Sequence, residues 1–343
     1  MGNLQCTNPQ NLEAAQEATI IYLQAGNSAL DFQNYEGALK YFEKALASQR
    51  KLFSPNDISI VNTCIKLAIV YQALENFDQA LFFFQKALRK SSRKNYHDKI
   101  AYLHLSIGDL YKIMRQYGKA LEEYEKGLYK AKNYIGKQDL VVGTIAFKLA
   151  KICLKFEMYE EAFDYLVETF HVCVKNYGEN HKVISDIFLL MGKIHKKQKN
   201  FKDAILFYKT AIKLLEKNLT EDNEDLAVLY NNLGLLLKEE RRFDEALIYL
   251  EKCIKIEIHC FGINNARVDT TLRTAKIIAR MISKNTESLL EPFESLFLEE
   301  DLRGKKETIC DTTLNSWTEE QFEEREKTNF DNILDSVNEV VSA

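Results

Sequence analysis

Four residues recur in fixed register along this chain: a small residue, an aromatic nine positions on, an alanine three further, and a large apolar residue four after that. Gly108, Tyr117, Ala120 and Tyr124 show the set, as do Gly192, Phe201, Ala204 and Tyr208. Ala68, Phe77, Ala80 and Phe84 carry it earlier, and Gly234, Phe243, Ala246 and Leu250 later. Two diverged copies complete it: Gly26, Tyr35, Ala38 and Phe42, and Ala150, Tyr159, Ala162 and Leu166. The small residue falls at 26, 68, 108, 150, 192 and 234, a period of 42 with one step of 40. Self-similarity of this length builds a stacked array, in which each repeat covers its neighbours, and it presents a surface more readily than a catalytic pocket.

Each repeat reads as two amphipathic helices, because apolar residues recur at three- and four-residue spacing on both sides of a short polar turn. In repeat six, Leu226, Leu229, Tyr230, Leu233, Leu236 and Leu237 form one stripe; Ala246, Leu247, Tyr249, Leu250, Ile254 and Ile256 form the next, with Glu239 to Arg242 between them. The small anchor lets the two helices approach closely, and the alanine twelve residues later sits where they cross. One repeat cannot bury both stripes alone, so consecutive repeats must.

This pattern resembles the tetratricopeptide repeat, in the 42-residue form of kinesin light chains and related proteins. Leu229-Tyr-Asn-Asn-Leu-Gly234 with Phe243-Asp-Glu-Ala246 is similar to the family's helix pair, and Tyr177-Gly-Glu-Asn-His181-Lys-Val183 to its connector. The resemblance runs from about Asn11 to Ile282 and implies an all-α, right-handed superhelical solenoid of paired antiparallel helices. Cys153 and Thr169 depart from it in repeat four, and no heptad region precedes the repeats, so kinesin binding is not implied. The expected organisation is a flexible N-terminus over 1–12, six repeats plus a capping helix over 13–282, and an acidic tail over 283–343.

The resemblance also implies where a ligand sits. In the family the first helix of each repeat lines a concave groove through positions six and three before the anchor and one, four and five after it, which share a helix face. Here those positions hold Asn27, Lys112, Lys151, Lys155, Lys193, Lys196, Lys197, Asn231 and Lys238. Stacked lysines raise the local positive potential and asparagines hydrogen-bond an extended backbone, so the expected partner is a protein or an acidic or aromatic-acidic peptide. The opposing view is that lysine is simply the commonest solvent-facing residue here. A groove for a chaperone's C-terminal carboxylate is disfavoured: Asn27 matches that type, but Leu23 stands where it places lysine and Lys66 where it places a second asparagine. Few aromatics on these faces suit base stacking, so no nucleic acid is expected.

The net charge of −4 is unevenly placed: residues 287–343 hold 16 acidic and 5 basic side chains, net −11, leaving 41 basic against 34 acidic, or +7, before them. Such a tail is either simply solvated or occupies the chain's own groove. Leu314, Trp317, Glu319 and Glu320 are the candidate autoinhibitory segment, loosely similar to the aromatic-acidic peptides that kinesin-light-chain-type grooves accept. Beyond it Phe322, Phe330, Ile333, Leu334, Val337 and Val341 make a weak amphipathic helix, a candidate final cap. At the other end Gly2 follows Met1, resembling a myristoylation site, although position six is Cys6 rather than serine or threonine. One acyl chain holds a membrane marginally and two hold it stably, so Gly2 and Cys6 together would tether the chain to a cytoplasmic membrane leaflet. The alternative is an ordinary disordered N-terminus.

Composition fits a helical protein, with 46% hydrophobic residues and only 3 prolines. No apolar run is long enough to span a bilayer, and Glu13 and Glu17 interrupt any leader, so a cytoplasmic location is expected. Seven cysteines without CxxC spacing lie mostly on apolar stripes and read as reduced core residues. The histidines at 97, 104, 171, 181, 195 and 259 form no HExxH or paired metal spacing. His195 stands where a core aromatic is usual, and Cys173 and His171, two apart on a helix, face different ways. No enzyme activity, cofactor, metal or small-molecule substrate is expected. The alternative to a binding adaptor is a structural subunit of a larger ciliary, trafficking or motor-associated assembly.

Overall fold

A computed structural model describes residues 9–179, 181–218, 223–262 and 265–282. Gly2, Cys6, Leu314, Trp317, Glu319 and Glu320 lie outside the described residues. The chain divides into two compact bodies, Met1–Val172 and Cys173–Ala343. The first holds α1 (Pro9–Asp31), α2 (Tyr35–Leu52), α3 (Ile58–Ala73), α4 (Phe77–Lys94), α5 (His97–Ile113), α6 (Tyr117–Tyr134), α7 (Leu140–Lys155) and most of α8 (Tyr159–Tyr177). The second holds α9 (Lys182–Lys197), α10 (Phe201–Asn218), α11 (Glu224–Glu239), α12 (Phe243–Phe261) and α13 (Ala266–Ile282). No strand occurs among the described residues. Successive helices pack as pairs, and each pair packs on the next within its body, giving an all-α repeat solenoid.

Every repeat makes its turn in the same way. Seven positions after the anchor, Gln33, Glu75, Arg115, Glu157, Lys199 and Arg241 all adopt positive φ, between 57° and 62°. The next residue's N–H reaches back five residues, as from Asn76 to Tyr71 O at 2.9 Å and from Gln116 to Tyr111 O at 2.8 Å. The left-handed residue bonds three back, as from Arg115 to Lys112 O at 3.0 Å. Together these satisfy the last carbonyls of the first helix in a Schellman arrangement. The residue that closes one helix then opens the other: Asn34 and Asn76 accept from the N–H groups of Gly37 and Gln79. A two-residue reversal of this kind fixes the antiparallel pair.

Packing at the anchors explains the repeat itself. Ala38, Ala80, Ala120, Ala162, Ala204 and Ala246 are completely buried, and so are Phe42, Tyr124, Leu166, Tyr208 and Leu250. A Cβ added to Gly26, Gly108, Gly192 or Gly234 would stand 2.5–2.8 Å from the Phe42, Tyr124, Tyr208 or Leu250 side chain. That distance is closer than van der Waals contact permits, so the anchor glycines are set by the side chain packed over them. Repeat four keeps the scheme with other atoms. Thr169 donates its hydroxyl to Tyr165 O at 2.8 Å, which satisfies a polar group where alanine is usual, and Gly143 lets Val172 pack against α7. The stripe of α13, Val268, Leu272, Ala275 and Ala279, is buried and lies 42 residues after Leu226, Tyr230, Leu233 and Leu237 of α11.

Candidate functional site

In the first body the face that follows the anchor spacing is mixed. Asn27 is exposed and its side-chain oxygen accepts a hydrogen bond from Lys66 Nζ, so these two occupy each other. Burial lowers the Lys66 amine pKa, with Asp31 acting against it. Lys112 is exposed and forms no ion pair among the described residues. Lys151 Nζ stands 4.2 Å from the Phe147 ring centroid, and Lys155 Nζ 3.5 Å from that of Tyr117. Such cation–π contacts are worth about 0.5–1 kcal/mol at exposed sites, little enough for a ligand to displace.

Beneath them lies a network that reading for lysine and asparagine passes over. Asp109, one residue after its anchor, accepts from the Tyr124 hydroxyl at 2.6 Å and from Lys148 Nζ at 2.6 Å and 2.9 Å. Burial and this carboxylate push the Tyr124 phenol far above its usual range. Ile69, Tyr102 and Ile113 also occupy positions of the same spacing and are 36%, 40% and 45% exposed, which provides apolar surface beside the charges.

In the second body Lys193 is half-buried, and desolvation lowers its amine pKa while Asp186 works against this. Lys196 forms an ion pair with Glu239 of the neighbouring repeat at 3.0 Å. Lys197 is exposed and Lys238 half-exposed, and neither has an ion-pair partner among the described residues. Asn231 is half-buried beside them in the register. The face is therefore not uniformly basic: Asp109, Asp186 and Glu239 share the ligand-facing positions, and acids at these positions were legible to anyone applying the spacing to all residue types.

No group of three His, Cys, Asp or Glu side chains that could hold a metal occurs among the described residues. His195 stacks on Phe207 with centroids 5.2 Å apart, and burial lowers its pKa. The thiols of Cys64, Cys153, Cys173 and Cys253 are buried and raised by desolvation; Cys153 is pushed up to about 11. Cys64 lies near Lys86, Lys90 and Arg50, but all four thiols are buried, so none has the accessible surroundings of a reactive thiolate. No described helix is long and apolar enough to cross a membrane.

The tetratricopeptide repeat family model matches residues 17–91 and 183–258, the stretches that contain the pairs α1 to α4 and α9 to α12. Those two stretches of the chain are tetratricopeptide repeats. No curated protein matches it in sequence. Among solved structures, the chain is similar to BtubC (BKLC) from P. vanneervenii, with a TM-score of 0.55 and 18% identity over 74% of this chain and 94% of that one. The apo form of RapI is similar with a TM-score of 0.55 and 14% identity, covering 78% of this chain and 99% of that one. Pseudomonas aeruginosa pilF follows at 0.52 and 17%, covering 76% and 99%. Identities this low establish the fold alone, and tetratricopeptide repeats serve many partners, so the ligand must be argued from this chain's own side chains.

Proposed function

We propose that the protein is a non-enzymatic interaction scaffold whose first-helix faces bind acidic or aromatic-acidic peptides. The observation that carries this reading is the set Lys193, Lys196, Lys197 and Lys238 in neighbouring repeats of the second body. Lys196 is paired with Glu239 and Lys193 feels Asp186, while Lys197 and Lys238 have no ion-pair partner among the described residues. Closely spaced cations with few counter-charges speed and select anionic partners. The exposed apolar positions Ile69, Tyr102 and Ile113 in the first body suit an aromatic or aliphatic side chain.

The chain itself supplies a suitable probe. A fluorescein-labelled, end-capped peptide spanning residues 311–324 contains Trp317, Glu319 and Glu320. Anisotropy should show binding that weakens with added salt, and Lys197→Glu with Lys238→Glu should reduce it by about tenfold or more. Equal affinity for this peptide and for a neutral version with Asp311→Asn, Glu319→Gln, Glu320→Gln, Glu323→Gln and Glu324→Gln would refute an acid-selective face. In the same reading the tail occupies the face in cis, so a chain lacking residues 300–343 binds the peptide more tightly; unchanged affinity would count against that occupancy. Acyl chains on Gly2 and Cys6 would bring the scaffold to a cytoplasmic membrane leaflet. Intact mass from eukaryotic cells, beside a Gly2→Ala control, tests this step.

A further inference from the structure

The two fully buried tyrosines of the repeat, Tyr124 and Tyr208, occupy equivalent places with unequal polar surroundings. Each packs its ring over an anchor glycine at nearly identical distances: an added Cβ would lie 2.5 Å from Tyr124 Cδ1 and Cε1 above Gly108, and 2.6–2.7 Å from those of Tyr208 above Gly192. The phenol groups therefore point to the same place in their repeats. For Tyr124 that place holds a carboxylate, Asp109, which is also held by Lys148. Eighty-four residues on, the register puts Lys193 where Asp109 stands and Asn232 where Lys148 stands. Asn232 donates to Val228 O at 2.8 Å. The Tyr208 hydroxyl is buried and has no hydrogen-bond partner among the described residues.

A buried hydroxyl without a partner is costly, and natural cores rarely keep one without a use. A phenylalanine would fill the same space at no polar cost, as Phe84 does in repeat two. Two further facts say what is missing. The equivalent tyrosine is satisfied by a carboxylate, and the residue nearest in register to Tyr208 is a cation, Lys193, partly desolvated. Glu239 bears electrostatically on Tyr208, but its carboxylate is engaged by Lys196.

We infer that Tyr208 and Lys193 form a subsite for one carboxylate side chain of a bound acidic peptide, with the Tyr208 O–H donating to it and the Lys193 ammonium pairing with it. The ligand's acid thus does in the second body what Asp109 does internally in the first. Tyr208 is fully buried, so its hydroxyl is reached only as the surrounding side chains move aside for the entering acid. This inference rests on the acidic-peptide reading above and gives it a location.

The test compares Tyr208→Phe with Tyr124→Phe in the full chain, using the 311–324 peptide and its neutral version, in which Asp311, Glu319, Glu320, Glu323 and Glu324 are replaced by their amides. Tyr208→Phe keeps the ring over Gly192 and removes one oxygen. It should leave the urea midpoint unchanged or raised, and should weaken binding of the acidic peptide by about tenfold with little effect on the neutral one. Tyr124→Phe should do the reverse, lowering the midpoint and sparing affinity. A Tyr208→Phe protein that loses as much stability as Tyr124→Phe has an internal partner for that hydroxyl, and the inference fails. It also fails if Tyr208→Phe weakens both peptides alike or neither. Loss of binding in Lys197→Glu and Lys238→Glu with none in Tyr208→Phe would leave the scaffold reading standing and remove the subsite alone; a wild-type chain that binds neither peptide overturns both.

Discussion

Replacing Gly108 by alanine tests the packing that sets the repeat. An ideal Cβ there would lie 2.5 Å from both Cδ1 and Cε1 of Tyr124, and the ring is completely buried. The ring cannot slide away freely, because its hydroxyl is bonded to Asp109 at 2.6 Å and Lys148 holds the same carboxylate. Overpacking a closed core costs about 1–3 kcal/mol. Alanine returns about 0.5–1 kcal/mol of helix propensity, leaving a net loss of up to about 2.5 kcal/mol. Repeat two accommodates Ala68 in the repeat of Phe84, which carries no hydroxyl, whereas Gly26 and Gly234 stand close under Phe42 and Leu250, so at Gly108 the tether adds to a limit of volume. Gly108→Ala combined with Tyr124→Phe should therefore lose less than the sum of the single losses, by at least about 0.5 kcal/mol. Urea unfolding followed by circular dichroism gives the midpoints, with Gly118→Ala as control, since nothing lies within 4 Å of a Cβ there. If Gly108→Ala matched Gly118→Ala, the close approach would not be what fixes glycine at the anchor; an additive double variant would remove the tether from the argument.

Three further outcomes follow from particular residues. Arg115→Gly removes a side chain from left-handed backbone at φ 60°, and the relieved strain of about 1–2 kcal/mol should exceed glycine's entropic cost, raising the midpoint by about 0.5–1 kcal/mol in stability; a lowered midpoint would contradict this. The Cys153 thiol is raised to about 11, chiefly by burial and further by Glu161 and Glu125. Its stabilising contribution is thus complete below the unfolded value of about 8.5 and lost as pH rises towards 11. The stability advantage of wild type over Cys153→Ala should shrink across that window, and a constant difference would show that the thiol does not titrate with unfolding. Under native conditions near pH 8, iodoacetamide should modify exposed Cys260 at least about tenfold faster than buried Cys64 or Cys253, as read by peptide mass mapping.

The helix pairs were legible in the sequence because each anchor has a steric requirement that few residues meet. Gly108 and Gly192 must be small because the Tyr124 and Tyr208 rings fill the space over them. The turns were less legible. Their left-handed residues are Gln33, Glu75, Arg115, Glu157, Lys199 and Arg241, none of them the glycine that ordinarily marks a helix end. Polarity showed where the chain reverses without showing the conformation. The contribution of Thr169 in repeat four was hidden too, since a threonine in place of alanine reads as a defect until its hydroxyl is seen bonded to Tyr165 O.

The candidate binding faces were half legible, and the missing half changes their meaning. A search for basic residues at five helical positions finds Lys112, Lys151, Lys155, Lys193, Lys196, Lys197 and Lys238 but treats them as equivalent charges. Their partners separate them. Lys196 is neutralised by Glu239, Lys151 and Lys155 lie against aromatic rings, and Lys112, Lys197 and Lys238 have no ion-pair partner among the described residues. Affinity for an anionic ligand depends on cations not already paired, because a paired lysine must first break its internal contact. Asp109 makes the same point in reverse: a carboxylate inside the binding face satisfies Tyr124 and Lys148, and so removes from the first body the anion subsite inferred at Tyr208 and Lys193 in the second. Asp109→Asn should then weaken the hold on Lys148 and open that position to an outside acid, raising the first body's affinity for the 311–324 peptide while lowering its stability. A variant that loses stability without gaining affinity would mean that the tyrosine network is purely structural in both bodies.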